Sequence, residues 1–293
     1  VATSGNDDCA PFRRALRRHS AQLNRQLPWI GHHDPWAILV SEVMLQQTQV
    51  SRVIEPWRRF MDAFPTPRRC ADAPLASVLQ LWAGLGYHRR AKALHETAKR
   101  IRDDFSGEVP SSVFALRSLP GVGDYTANAV ASFAFGERVA VLDTNVGRVL
   151  ARAIANRTLR TAEARDLAER LLPDEHVAAF NQAMLDLGAQ YCKATPSCTS
   201  CPVARSCRWK KEGGVDPAPL SAGVSRRQSA FEGSDRQLRG RLLALLRDAD
   251  VEFRDVTKLL GSNDVSRVGA IVERMVNEGL IERRGTRVQL ARS

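Results

Sequence analysis

Four cysteines, Cys192, Cys198, Cys201 and Cys207, fall within sixteen residues in the order C-x5-C-x2-C-x5-C. Four thiols this close in the chain can surround one metal centre. Two centres compete on chemical grounds, a structural zinc and a [4Fe–4S] cluster. Zinc sites usually pair their cysteines as two close CxxC-like knuckles, whereas this spacing is uneven, and ferredoxin spacings differ from it as well. The residues alone leave the metal open. Cys9 and Cys70 stand apart from the set and read as inert thiols.

A metal reading requires that the thiols not be spent in disulfides. The N-terminal stretch VATSGNDDCAPFRRALRRHS has no apolar core of the secretory kind. No apolar run reaches the roughly 18 residues that span a bilayer. The chain therefore reads as intracellular, with no membrane partner, in a compartment where disulfides are rare. Charge adds a direction: 43 Lys and Arg stand against 32 Asp and Glu, a formal +11. A surplus of this size favours an anionic partner, and nucleic acid is the first candidate.

Most of the chain has helical periodicity, as at Ile38, Val43 and Met44. Strand-like alternation is scarce before residue 280. Pro110 and two serines before Val113 mark a helix start, and Gly84 and Gly86 interrupt the pattern before Tyr87. After Cys207 the composition turns to glycine, proline, serine and basic residues, read as a solvated linker over 211–230. Ser234 reads as an N-cap opening a new helical pattern, and two short helices follow. A hairpin turning at Gly285 ends the chain, so 231–293 read as a winged-helix-like accessory module. Arg283, Arg284 and Arg287 lie on its expected wing, where they would meet phosphates.

Two further segments carry chemistry. Leu119-Pro-Gly121-Val-Gly123-Asp-Tyr125-Thr-Ala lies between apolar helical stretches. Its glycines permit a tight turn, and the following helix N-terminus offers free amides to a phosphate. Beyond it, in Val-Leu-Asp143-Thr-Asn145-Val-Gly-Arg148, Asp143 follows an apolar run and precedes a helix. It suits an N-cap, and it also suits a carboxylate facing the oxocarbenium-like sugar that forms when a base departs.

Together the cysteine spacing, the hairpin and the LDxNV string resemble the endonuclease III and MutY family of helix-hairpin-helix DNA glycosylases. That resemblance implies a [4Fe–4S] cluster on the four cysteines, with Lys193, Arg205, Arg208, Lys210 and Lys211 around it as a basic loop near DNA. It implies that Gly121 and Gly123 hold backbone phosphate, that Asp143 is the catalytic carboxylate and that Asn145 assists at the sugar. Thr144 stands where the family usually has glycine. Tyr125 stands where lyase-competent relatives carry a Schiff-base lysine, so the resemblance implies a monofunctional enzyme.

The string Ser41-Glu42-Val-Met-Leu-Gln46-Gln47-Thr-Gln-Val resembles the adenine-specific branch. Glu42 is the sole carboxylate in a mainly apolar helix. In a pocket such a group would hold its proton and suit a general acid for a departing purine. The resemblance places Gln47 beside the lesion, Tyr87 in the Leu85-Gly86-Tyr87 loop as a wedge, and Trp29 of Leu-Pro-Trp near the adenine pocket. It places Gln182 on adenine. Extruding a base needs both a pocket and a wedge. Ile30 departs from the basic or polar residue of many relatives.

The expected fold is mostly α. It has two helical lobes, about 34–142 and 1–33 with 143–210, a cluster loop and the small C-terminal module. The expected function is hydrolytic excision of adenine opposite 8-oxoguanine or guanine, by a monomer on double-stranded DNA. Residues 231–293 hold too few strands for the Nudix-like domain with which the family usually reads 8-oxoguanine. A glycosylase for thymine or uracil opposite guanine and a non-catalytic iron–sulphur DNA-binding protein remain the alternatives.

Overall fold

A computed structural model describes residues 9–23, 25–221 and 231–291. The helices run α1 (Ala10–Leu23), α2 (Pro35–Leu45), α3 (Val50–Ala63), α4 (Pro67–Asp72) and α5 (Leu75–Leu81). Next come α6 (Arg89–Asp104), α7 (Val113–Arg117), α8 (Asp124–Phe135), α9 (Thr144–Val149) and α10 (Thr161–Leu171). α11 (Val177–Gln190), α12 (Arg208–Glu212), α13 (Asp235–Asp248), α14 (Val256–Leu259) and α15 (Val265–Asn277) complete them. The strands are β1 (Val251–Glu252), β2 (Ile281–Arg284) and β3 (Arg287–Leu290). The chain forms two compact units, 1–35 with 123–227, and 36–122 with 228–293.

In the first unit, α1 buries Phe12, Leu16 and Leu23 against a core shared with α9 and α11. α9 and α11 cross closely because residue 188 is glycine. A Cβ there would stand 2.6 Å from the Asn145 Cβ and carbonyl oxygen, inside van der Waals contact. Asp186, fully buried in α11, is met by Arg25 at 2.5 Å. Truncating Arg25 would strand that carboxylate, the costly way to break a buried pair. α9 continues into a π-type turn, Leu150–Ala155, a feature often found near functional sites.

In the second unit α2 is apolar on all sides, as a helix enclosed by others should be. Trp36, Ile38, Leu39, Val40 and Met44 are all buried. The indole of Trp36 donates to the Phe64 carbonyl, and that of Trp57 to the Ala37 carbonyl. Phe60 packs edge-on against Phe64 and Trp82, so the large rings bury area without leaving an N–H unpaired.

The C-terminal residues form α13, α14 and α15 over a three-stranded antiparallel sheet in the order β1-β3-β2. Ser234 caps α13 by accepting from the Gln237 amide, and Gly285 turns the β2–β3 hairpin with φ of +59°. Ser112 likewise caps α7, accepting from Ala115. The module is pinned to α6 of the same unit. Lys92 donates to the Glu278 carbonyl at 2.9 Å, and the Glu278 carboxylate binds Arg239.

Composition marks 211–230 as a solvated linker; residues 211–215 are exposed, while Pro217, Ala218 and Ser221 are buried in the first unit. Asp216 pairs with Arg152 at 2.6 Å. The buried guanidinium demands a carboxylate, and this stretch supplies it. Residues 222–230 of that expected linker lie outside the described ones.

Candidate active site

Asp143 occupies the N-cap of α9 with extended backbone. One carboxylate oxygen accepts the Val146 amide at 2.8 Å, and the other accepts the Asn145 side-chain N–H at 2.6 Å. Asn145 in turn accepts from Arg148 at 2.6 Å, and Arg148 donates on to the carbonyls of Gly188 and Cys192. Asp143 is thus the N-cap of α9, as its sequence setting suggested. Burial raises the Asp143 carboxyl above the usual aspartate range; the Val146 and Asn145 hydrogen bonds and the Arg148 charge work against it.

The first unit, which carries Asp143, also holds Trp29, Gly123, Tyr125, Gln182 and the four cysteines. Trp29 is buried and Gln182 half-buried. Tyr125, in the first turn of α8, packs against the unit's core. Gly123 is the exposed N-cap of α8, a twelve-residue helix, and as glycine it supplies no side-chain cap.

Glu42, Gln46, Gln47, Leu85, Gly86, Tyr87 and Gly121 belong to the second unit. Glu42 is 5% exposed on the apolar helix α2. Gln46 donates to the Gly121 carbonyl at 3.4 Å. Gly121 has φ of +74°, and a Cβ there would stand 2.8 Å from the Ala93 Cβ, so glycine is required on both counts. Gln47 and Tyr87 both hold left-handed backbone, with φ of +56° and +49°. Two strained non-glycine residues on adjoining loops need something to hold them.

Arg90 provides it. Its guanidinium donates to the carbonyls of Val43, Met44 and Gln46, to the Thr48 hydroxyl and to the carbonyls of Leu85 and Gly86. The carbonyls ending α2 have no helical partner of their own, so one cation caps the Glu42 helix and fixes both loops. It also lies over the rings of Trp82 and Tyr87, at 5.6 and 5.4 Å. Losing it would strand several acceptors, on the order of 3 kcal/mol or more. The string His-Arg-Arg-Ala-Lys carries no local sign of this, because the acceptors lie up to 47 residues away.

Cys192, Cys198, Cys201 and Cys207 line one small apolar cavity of about 30 Å³ with Val149, Leu187 and Trp209. Among the described residues no group of three or more His, Cys, Asp or Glu is arranged to hold a single metal ion. Burial pushes the Cys201 thiol up to about 11 and also raises Cys192 and Cys207. The buried Arg152 organises the loop. It donates to the Lys193 carbonyl at 2.6 Å and to the Ala194 carbonyl at 3.1 Å, and lies 3.5 Å from the Cys192 Sγ. Lys193, Arg205, Arg208, Lys210 and Lys211 are all exposed around it.

The family described as HhH-GPD superfamily base excision DNA repair protein matches residues 40–174. An adenine DNA glycosylase of Mycobacterium tuberculosis is 47% identical over 234 residues, 78% of this chain and 75% of that protein. One of Mycolicibacterium smegmatis is 42% identical over 265 residues, 88% of each chain. Among solved structures, a thermostable thymine-DNA glycosylase matches with a TM-score of 0.65 at 27% identity, covering 71% of this chain and 98% of that one. The thymine alternative thus shares the fold, while the relatives of high identity act on adenine. No described helix is long and apolar enough to cross a membrane. The chain belongs to the adenine DNA glycosylases of the helix-hairpin-helix superfamily, hydrolases that excise adenine from DNA in base excision repair.

Proposed function

We propose that this enzyme is a monofunctional glycosylase for adenine paired with 8-oxoguanine or guanine, acting as a monomer on duplex DNA. The observation that carries the opposite-base reading is the pair of strained residues, Gln47 and Tyr87, held on adjoining loops by Arg90. A wedge that fills the void left by an extruded base must be rigid, and strain fixed by six hydrogen bonds supplies rigidity. Gly121 and Gly123 hold the DNA backbone through helix amides. Trp29 and Gln182 receive the extruded adenine. Glu42 protonates the departing base and Asp143, steadied by Asn145, stabilises the sugar cation. Tyr125 has no amine for a Schiff base, so the product is an abasic site in an uncut strand. Duplexes with A:8-oxoG, A:G, A:C, T:G and U:G, compared under single-turnover conditions, test the reading. Adenine is expected to leave the first two fastest, with thymine and uracil untouched; excision of thymine from T:G would overturn it.

The four cysteines suit a [4Fe–4S] cluster. They ring one apolar cavity, and four thiolates are the ordinary donor set of that cluster. Cys192, Cys198, Cys201 and Cys207 would hold it, and the Arg152 guanidinium beside the Cys192 Sγ would offset thiolate charge. The cluster would supply a fixed frame for the basic loop rather than any step of base excision. Purified protein is expected to be brown with broad visible absorption, and Cys198→Ser to lose colour and folded yield. A colourless active protein with one tightly bound zinc would refute the assignment.

A further inference from the structure

Within the second unit, the Tyr87 turn and the C-terminal module enclose a cavity of about 530 Å³. That is the size of a site for a small ligand or a nucleotide. Arg52 lines it from one side, and Arg236, Arg241 and Arg247 of α13 from the other; Tyr87 and Phe231 add two aromatic faces. No Asp or Glu lines it among the described residues. Arg52 and Arg241 donate to the carbonyls of Gly84 and Leu260, which carry no charge. Arg236 donates to the Tyr87 hydroxyl at 2.7 Å and lies 5.9 Å over its ring. On the same wall, burial and then the charges of Arg239, Arg247 and Arg90 push the His88 imidazole down to about 4. A cation-rich cavity without carboxylates leaves its positive field uncompensated.

The module's other basic faces differ. Helix-turn-helix proteins lay their second helix in the major groove. Here the equivalent α15 has Arg267 and Arg274 both bound to Asp235, at 2.8 and 2.9 Å. On the wing, Arg287 pairs with Glu252 at 3.1 Å and Arg284 with Glu282 at 3.4 Å, while Arg283 lies 4.3 Å over the Phe253 ring. A phosphate approaching those faces must displace a carboxylate or a ring. One entering the cavity displaces neither.

We propose that the cavity is a DNA-backbone site, in which Arg241 and Arg247 of the C-terminal module, with Arg52 opposite, hold phosphodiester groups. Guanidinium groups suit phosphate oxygens through paired hydrogen bonds. Neutralising phosphates with arginine is also what drives affinity for duplex DNA. The module therefore meets DNA through the α13 face beside Tyr87, and its wing is secondary. The proposal rests on DNA as the substrate, the established activity of the family, and not on the base opposite adenine.

The test is the salt dependence of affinity for an adenine-mispair duplex, measured by fluorescence anisotropy on the full chain. Each lost phosphate contact lowers the slope of log K against log salt by about 0.9. The double variant Arg241→Ala, Arg247→Ala is expected to lower it by about 2, and Arg241→Lys, Arg247→Lys to restore it, since lysine keeps the charge. The triple variant Arg283→Ala, Arg284→Ala, Arg287→Ala is expected to shift it by less than one contact. An unchanged slope in the alanine double, failure of the lysine double to restore it, or a larger loss in the wing triple would each overturn the proposal.

Discussion

Replacing Asp143 by asparagine is expected to abolish excision while leaving mispair binding nearly intact. Asparagine caps helices as well as aspartate does, so the Val146 amide keeps its acceptor and α9 its start. The first change is at the other oxygen. That position now presents N–H groups to the Asn145 side chain, which itself donates there at 2.6 Å, so Asn145 must turn. The second change is the loss of the negative charge that answers the sugar cation. One preorganised electrostatic group contributes roughly 100- to 1,000-fold. Single-turnover rates at saturating enzyme read the loss, and a variant within tenfold of the parent would remove Asp143 from catalysis.

The same group sets an expectation for pH. In the role proposed for it Asp143 acts ionised, and burial raises its carboxyl above the ordinary value of 3.8. Activity should therefore fall with decreasing pH earlier than an ordinary aspartate would dictate. The sign for stability is opposite. A carboxyl whose folded pKa is raised favours the protonated fold, a contribution lost as pH rises through that pKa. At neutral pH the charged Asp143 thus weighs against folding, and the asparagine variant should be no less stable than the parent.

Features written in a few consecutive residues were legible without the structure. Ser112 and Ser234 announce helix starts, Gly285 a hairpin, and Asp143 an N-cap, because each acts on amides or turns within three residues of itself. What organises the site acts over longer spans. Arg90 reaches back to Gln46, Arg152 forward to Asp216, Arg25 to Asp186 and Lys92 to Glu278, separations of 44, 64, 161 and 186 residues. A lone arginine in a basic chain carries no mark of such a partner. The buried residues Pro217, Ala218 and Ser221 lie in a stretch that looked solvated for the same reason: its composition is that of a linker, and Asp216 beside them meets a buried guanidinium elsewhere in the chain. Gly188 carries no local mark either: its need for no side chain comes from Asn145, 43 residues earlier, on a crossing helix.

Glu42→Gln is the second change expected to be severe, and it separates chemistry from packing. Glu42 is buried on a helix whose neighbours Ile38, Leu39, Val43 and Met44 are buried too. Glutamine has nearly the same shape, so α2 and the Arg90 bonds at its end should persist. What it lacks is an acidic proton. A carboxyl removed from water is more easily kept in its neutral form, the form able to protonate a departing purine. General acid catalysis is worth roughly 100- to 10,000-fold. Single-turnover excision of adenine should fall by at least the lower figure at every pH tested, with mispair affinity changed little. The pH profile gives the sharper reading. If Glu42 donates the proton, the parent should lose activity on the alkaline side, and that fall should vanish in the variant along with the rate. If the variant instead kept both its rate and that fall, the proton would come from another group. The resemblance of the Glu42 string would then mark a packing position in α2 and not the acid of the reaction.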